Sequence, residues 1–207
     1  MNNISEFLTF YNNRLGEKEL KKRAFFGVTI ALFLSADFRQ GDERFSVHSG
    51  EPCTPLGMQS GEILDSAVTA SSFYDGFFKP ANARLNIFRG KCAWTPTNNG
   101  QQNAWIQVDL GDIKLITGVS TQGRCNAALP QWVKSYTVSH SSYGQQWKLY
   151  EESGSVKNFT GNTDKTTVVT HGFKNPISAR YVKVLPQSFR YRPSMRMELY
   201  TGCPMDY

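Results

Sequence analysis

The 207-residue sequence predicts an all-β domain, a sandwich or a barrel, behind an N-terminal stretch of different character. Three observations carry that prediction. From residue 63 onward the chain breaks into short alternating runs rich in β-branched and aromatic residues. Gly, Pro, Asn or Ser bounds each run, and no helical period intervenes between them. The runs give seven or eight strand candidates, the number and spacing of a sandwich or barrel.

The first clear strand is 105–111, WIQVDLG, which puts Trp105, Gln107 and Asp109 on one face and Ile106, Val108 and Leu110 on the other. Further candidates are 113–121 (IKLITGVST), 133–140 (VKSYTVSH), 146–151 (QWKLYE), 166–171 (TTVVTH), 179–185 (ARYVKVL) and 195–200 (MRMELY). Two connections are unusually apolar. Segment 73–83, FYDGFFKPANA, places Phe77 and Phe78 side by side between Gly76 and Pro80, and segment 122–132, QGRCNAALPQW, places Leu129 beside Pro130. Adjacent apolar residues flanked by turn formers read as an exposed tip, the signature of a binding surface. The same phenylalanines folded back into the core fit the pattern equally well.

Residues 24–36, AFFGVTIALFLSA, follow Lys21, Lys22 and Arg23. A helix of that length spans ~20 Å, short of the ~30 Å hydrocarbon core of a bilayer. Basic flank, short apolar run and small terminal residues resemble a secretory signal, although the segment before it is long and contains Glu17 and Glu19. A buried helix and a gene-model artefact stay open as alternatives, as does an amphipathic helix over 4–20. The expected organisation is a signal or targeting segment at 1–36, a linker at 37–52, the β domain at 53–203 and a tail at 204–207.

Charge follows the same division. Residues 1–52 carry seven Lys/Arg against seven Asp/Glu, whereas 53–203 carry sixteen against nine, so the basic excess belongs to the span between Cys53 and Cys203. Such an excess suits an anionic partner without choosing among lipid, glycan and nucleic acid. The composition, 40% hydrophobic and 13% aromatic, excludes a largely disordered chain. No apolar run is long enough for a spanning helix. His48, His140 and His171 have no metal-ligand spacing, and successive cysteines lie 39, 33 and 78 residues apart, too far for a C-x-x-C site. Without a nucleophile elbow, phosphate loop or dinucleotide fingerprint, the chain reads as a binder rather than an enzyme, needing no cofactor and no metal.

Eight co-linear motifs carry a family resemblance: PLGMQSGEILDSAVTASS (55–72), ARLN (83–86), AWTPTNN (93–99), WIQVDLG (105–111), TGVSTQGR (117–124), FTGNTDKTTVV (159–169), ARYVKVLPQSF (179–189) and SMRMELYTGC (194–203). Together they resemble the discoidin family, the type of the coagulation factor V and VIII C domains, over essentially all of 53–203. The resemblance implies a galactose-binding-like jelly-roll β-sandwich of about eight main strands whose ends are joined by a Cys53–Cys203 disulfide. In the chain-entropy view, closing a loop of ~150 residues contributes roughly 5 kcal/mol. Cys92 and Cys125 lie outside the common family pattern, and in an oxidising compartment they are expected to pair with each other.

Family members bind ligands at one end of the sandwich through loops called spikes. By position, 73–83 is the first spike, with Tyr74, Phe77, Phe78 and Lys79, and 122–132 the third, with Arg124 and Leu129. Arg89, Arg190 and Arg192 are expected nearby, while Arg84 reads as a structural partner for a loop carboxylate. Loop 95–103 has no acidic residue, so the carboxylate of neuropilin-type peptide pockets is missing. The sequon Asn158-Phe159-Thr160 offers a glycosylation site. The resemblance thus implies a secreted or cell-surface adhesion module binding anionic phospholipid or a cell-surface or matrix glycan, and not nucleic acid. A protein partner such as collagen or a receptor, or a role as an accessory carbohydrate module of a larger protein, is the alternative.

Overall fold

The computed structural model describes residues 53–125 and 128–202. The expected signal, linker and tail segments lie outside these residues, as does Cys203. Ten strands follow in order: β1 (Thr54–Pro55), β2 (Val68–Ala70), β3 (Ile106–Gln122), β4 (Trp132–Ser141), β5 (Lys148–Leu149), β6 (Glu151–Glu152), β7 (Ser155–Val156), β8 (Phe159–Thr160), β9 (Val169–Arg190) and β10 (Arg196–Thr201). Eight of them form one curled sheet in the order β1-β10-β3-β9-β4-β5, with β2 on β3 and β8 on β4, while β6 and β7 make a separate hairpin. Every pairing is antiparallel.

Two long strands make the layers. The expected strands at 105–111 and 113–121 fall on one strand, β3, which starts at Ile106, and 179–185 lies within β9, which takes only 169–171 of the expected 166–171 strand. Their pairing slips between Asp109 and Lys114, around Gly111 at φ +79°, so each strand bends and contributes to both halves of the core. Turn residues such as Gly111 therefore mark a corner here, not a strand end. The 146–151 candidate divides into β5 and β6 on either side of buried Tyr150.

Ile106, Val108 and Leu110 face inward as their alternation requires, meeting Val182 and Val184 of β9 and Val138 of β4. Trp94 fills the core near β10 through the bridge to Met195, and Tyr136, Phe159, Tyr150 and Phe173 stack in its other part. Trp105, just before β3, and Trp147 both have their rings against the Lys183 ammonium, which is 4.4 and 3.5 Å from their centroids.

On β10, alternate residues Met197 and Leu199 enter the core, yet Arg196 and Glu198 on the other face are equally buried. Arg196 donates to the carbonyls of Gly123 and Lys165, and the segment 56–63 covers Glu198. The Glu198 carboxylate accepts the backbone N–H groups of Met58, Gln59 and Leu199 at 3.0, 2.7 and 2.9 Å. Arg84 holds the same segment from the opposite side, donating to the carbonyls of Met58 and Ile63 and to the Asp65 carboxylate, as the sequence led us to expect of it. Arg84→Met is expected to cost about 2–3 kcal/mol, because it strands two buried carbonyls and half-orphans Asp65. A urea midpoint measured by fluorescence reads the loss.

The register fixes two ends. Gln122 and Trp132, joined by the 123–131 loop, and Arg190, paired with Trp132, mark one end. Ser141, Tyr181 and the bends of β3 and β9 mark the other, where β1 also meets Thr201. Cys53 is disulfide-bonded, and its expected partner Cys203 lies outside the described residues.

Candidate binding surface

Three loops converge at the Gln122–Trp132 end. In the first, 73–79, the Asp75 carboxylate accepts the N–H of Phe77 at 2.7 Å and its carbonyl accepts that of Phe78, a side-chain-closed turn. That turn sends the two rings in opposite directions. Phe77 is 60% exposed, whereas Phe78 is only 8% exposed. The pair expected at the tip is thus split, with one ring outside and the other a structural wedge. Phe78 meets Tyr74 edge-on at 5.7 Å and carries the Arg124 guanidinium 4.7 Å above its ring.

The second loop, 86–92, follows buried Leu85 and turns at Asn86, whose N–H donates to the Gln122 carboxamide. Its far limb is tied to the first loop, since the Phe77 carbonyl accepts both the Lys91 N–H and the Asn82 side-chain amide. Gly90 makes this approach feasible. At φ +58°, a Cβ there would lie 2.6 Å from the Phe77 carbonyl oxygen and 2.4 Å from the Asn82 amide nitrogen. Phe88, at the tip of this loop, is 80% exposed.

The third loop, 123–131, is closed by the Arg124 N–H donating to the Gln131 carbonyl. Arg124 also donates to the Gln131 carboxamide oxygen and to the Lys91 carbonyl, linking the second and third loops through one side chain. The Cys92–Cys125 disulfide joins the same two loops covalently, with Cα atoms 5.7 Å apart, as expected from the sequence. Leu129 is 52% exposed.

The basic groups gather around these tips. Arg192 lies 4.3 Å over Tyr74, Arg190 lies 5.0 Å over Tyr191, and the Lys91 ammonium is 5.7 Å from the Phe77 ring. Lys79 is exposed. Burial lowers the proton affinity of Arg124, and the neighbouring Arg192 charge lowers it further against an opposing pull from Asp75. An arginine stays charged through such a shift, so the end holds two close guanidinium charges. Arg89 is the exception, because its guanidinium pairs with Asp65 at 2.6 Å. Asp65 is held below the ordinary carboxylate range mainly by its hydrogen bond to Arg84, with Arg89 adding to it.

Phe88, Lys91 and Tyr191 went unnoticed in the sequence. The signal for the first was present, since Ile87-Phe88 beside Gly90 repeats the pattern of adjacent apolar residues next to a glycine. Beside this surface, a cleft of about 370 Å³ is lined by the carboxamides of Gln101, Gln102, Asn103 and Gln187 with Phe189, and by no carboxylate. Asn158 is exposed just before β8. Among the described residues no His, Cys, Asp and Glu group could hold a metal ion.

Residues 67–199 match the F5/8 type C domain model. Rat lactadherin is 43% identical over 156 residues, covering 72% of this chain and 36% of that protein. Human coagulation factor VIII is 38% identical over 152 residues, 72% of this chain and 6% of that one. The chain therefore spans about a third or less of the length of these relatives. Discoidin II of Dictyostelium discoideum superposes with a TM-score of 0.58 at 27% identity, covering 67% of this chain and 56% of its own. A family 32 carbohydrate-binding module from C. perfringens, solved in complex with galactose, shares the fold at a TM-score of 0.52 and 19% identity, over 67% and 97% of the two chains. Curled antiparallel sheet, converging loops and relatives of this similarity agree: the chain belongs to the F5/8 type C, or discoidin, domain family.

Proposed function

We propose that residues 53–203 form an extracellular, non-catalytic recognition domain whose loop end binds membranes containing anionic phospholipid. One observation carries this reading. Phe77, Phe88 and Leu129, on three different loops, all project into solvent at one end, within a collar of Lys79, Lys91, Arg124, Arg190 and Arg192. Exposed apolar rings are costly in a monomer unless a second phase receives them. Each aromatic side chain withdrawn from water contributes ~1.5–3 kcal/mol, discounted here for the part already covered. Each basic residue near an anionic bilayer adds about 1 kcal/mol. The sum is a reversible attachment requiring both apolar and charged contacts.

The Cys92–Cys125 bridge between the loops and the disulfide-bonded Cys53 suit an oxidising compartment, as does the exposed Asn158 sequon. A glycan at the same end is the second reading, favoured by the arginines stacked on Tyr74 and Tyr191. Sedimentation with phosphatidylcholine vesicles, with and without phosphatidylserine, separates the two. Binding is expected only with phosphatidylserine, weakening but persisting as salt rises. Silence on both vesicles together with capture on a glycan array would replace lipid with sugar, and silence on all would favour a protein partner.

A further inference from the structure

A second cleft lies at the opposite end of the sheet. It has a volume of about 520 Å³ and is bounded by the end of β4, the turn into β5 and Ser178 of β9. β4 runs ten residues from Trp132 to Ser141, so the cleft is ~30 Å from the loop end along the strand. The volume falls within the ~300–1,000 Å³ common for small-molecule sites.

Its lining side chains all carry polar groups, with no carboxylate among them. His140, Gln145, Gln146 and Lys148 supply donors and acceptors, and the Tyr143 ring is 83% exposed at its edge. None of these side chains makes a hydrogen bond or ion pair with a described residue, although the end of β4 and its turn are otherwise well satisfied. The turn is held firmly. Ser141 accepts the Gly144 N–H at 2.9 Å, Gly144 sits at φ +78° where a Cβ would come 3.4 Å from the Tyr181 ring, and the Lys183 ammonium lies 3.5 Å from the Trp147 ring. The His140 ring is half-buried, and burial followed by the Lys148 charge lowers its proton affinity, which favours the neutral imidazole with one donor and one acceptor.

We infer that this cleft is a second ligand site, taking an anionic sugar unit, a hexuronate or a sulfated hexose of a glycan chain. The chemistry divides among the residues. Lys148 meets the carboxylate or sulfate as a point charge. Gln145, Gln146, His140 and Ser178 face hydroxyl groups, which need both donors and acceptors. Tyr143 offers a flat apolar surface to the carbon–hydrogen face of the ring. A turn already fixed before binding loses little entropy on engagement. The site stands apart from the lipid-binding reading and would hold if that reading failed.

Calorimetric titration of the full chain with a heparin-derived tetrasaccharide and with neutral lactose tests it. Arg190→Glu with Arg192→Glu provides a background in which the loop end is repelled from anionic sugar. In that background the tetrasaccharide is expected to bind, Lys148→Glu to weaken it at least tenfold and Tyr143→Ala several-fold. Both positions are at the surface, so the fold should tolerate these changes, and circular dichroism checks that it does. Unchanged affinity in Lys148→Glu, loss of all binding in the background variant, or lactose binding as tightly as the tetrasaccharide would overturn the assignment. Phosphatidylserine vesicles should bind Lys148→Glu as well as the parent chain, so the two sites fail separately.

Discussion

Phe78→Ala is expected to lower stability by about 3 kcal/mol, near the low end for truncating a buried phenylalanine. At the next position, Phe77→Ser should change stability by no more than about 0.5 kcal/mol, as an exposed substitution does. Phe78 is enclosed by Tyr74 and Arg124, and removing its ring opens a gap beneath the guanidinium that ties the second loop to the third. Phe77 is 60% exposed, with the Lys91 ammonium 5.7 Å from its ring. Membrane affinity should show the reverse order of causes. Phe77→Ser withdraws an inserting side chain from an intact scaffold and should weaken vesicle binding roughly tenfold, with Phe77→Ser plus Phe88→Ser approaching a hundredfold. Thermal melts beside vesicle titrations read both quantities. Equal destabilisation by the two single variants, or undiminished vesicle binding by the double variant, would contradict the assignment of inner and outer rings.

The Cys92→Ala, Cys125→Ala double variant is expected to lose about 3–4 kcal/mol, because the bridge closes a loop with a sequence separation of 33 residues. For a domain of this size that corresponds to a fall in Tm of roughly 10 °C. The bridge also sets the spacing of Phe88 and Leu129, which ride on the two loops it joins. Vesicle affinity should therefore fall even at temperatures where the variant is fully folded. Calorimetry beside sedimentation distinguishes the two effects, and an unchanged Tm would show that the Arg124 contacts alone define the loops.

The sheet was legible from sequence because its signal is local. Ile106, Val108 and Leu110 alternate with Trp105, Gln107 and Asp109, and a half-buried strand requires that pattern. The continuity of β3 and β9 was not, since Gly111 serves a bend or a termination with the same composition. Arg84 could be assigned a structural role, but its hold on Met58 and Ile63 depends on residues brought together only by folding. At the loop end, the family resemblance assigned Tyr74, Phe77, Phe78, Arg124 and Leu129 together to the binding loops, but pattern alone could not say which of the two adjacent rings would turn inward. The deciding factor was one hydrogen bond, from the Phe77 N–H to the Asp75 carboxylate, and side-chain direction in a turn has no periodicity to read. Phe88 escaped because its loop has no strand pattern on either side to frame it.

The short pairing of β1 with β10 lies at the end of the sheet away from the loops. If the loops grip a surface and Thr54 is pulled away from it, tension runs along the strands rather than across them. Antiparallel hydrogen bonds stand perpendicular to their strands, so such a load shears the bonds of a pairing together instead of opening them one after another. The sheet is thus oriented as a tensile element, stiffest along the line that would connect an anchored membrane to whatever tugs on the other end.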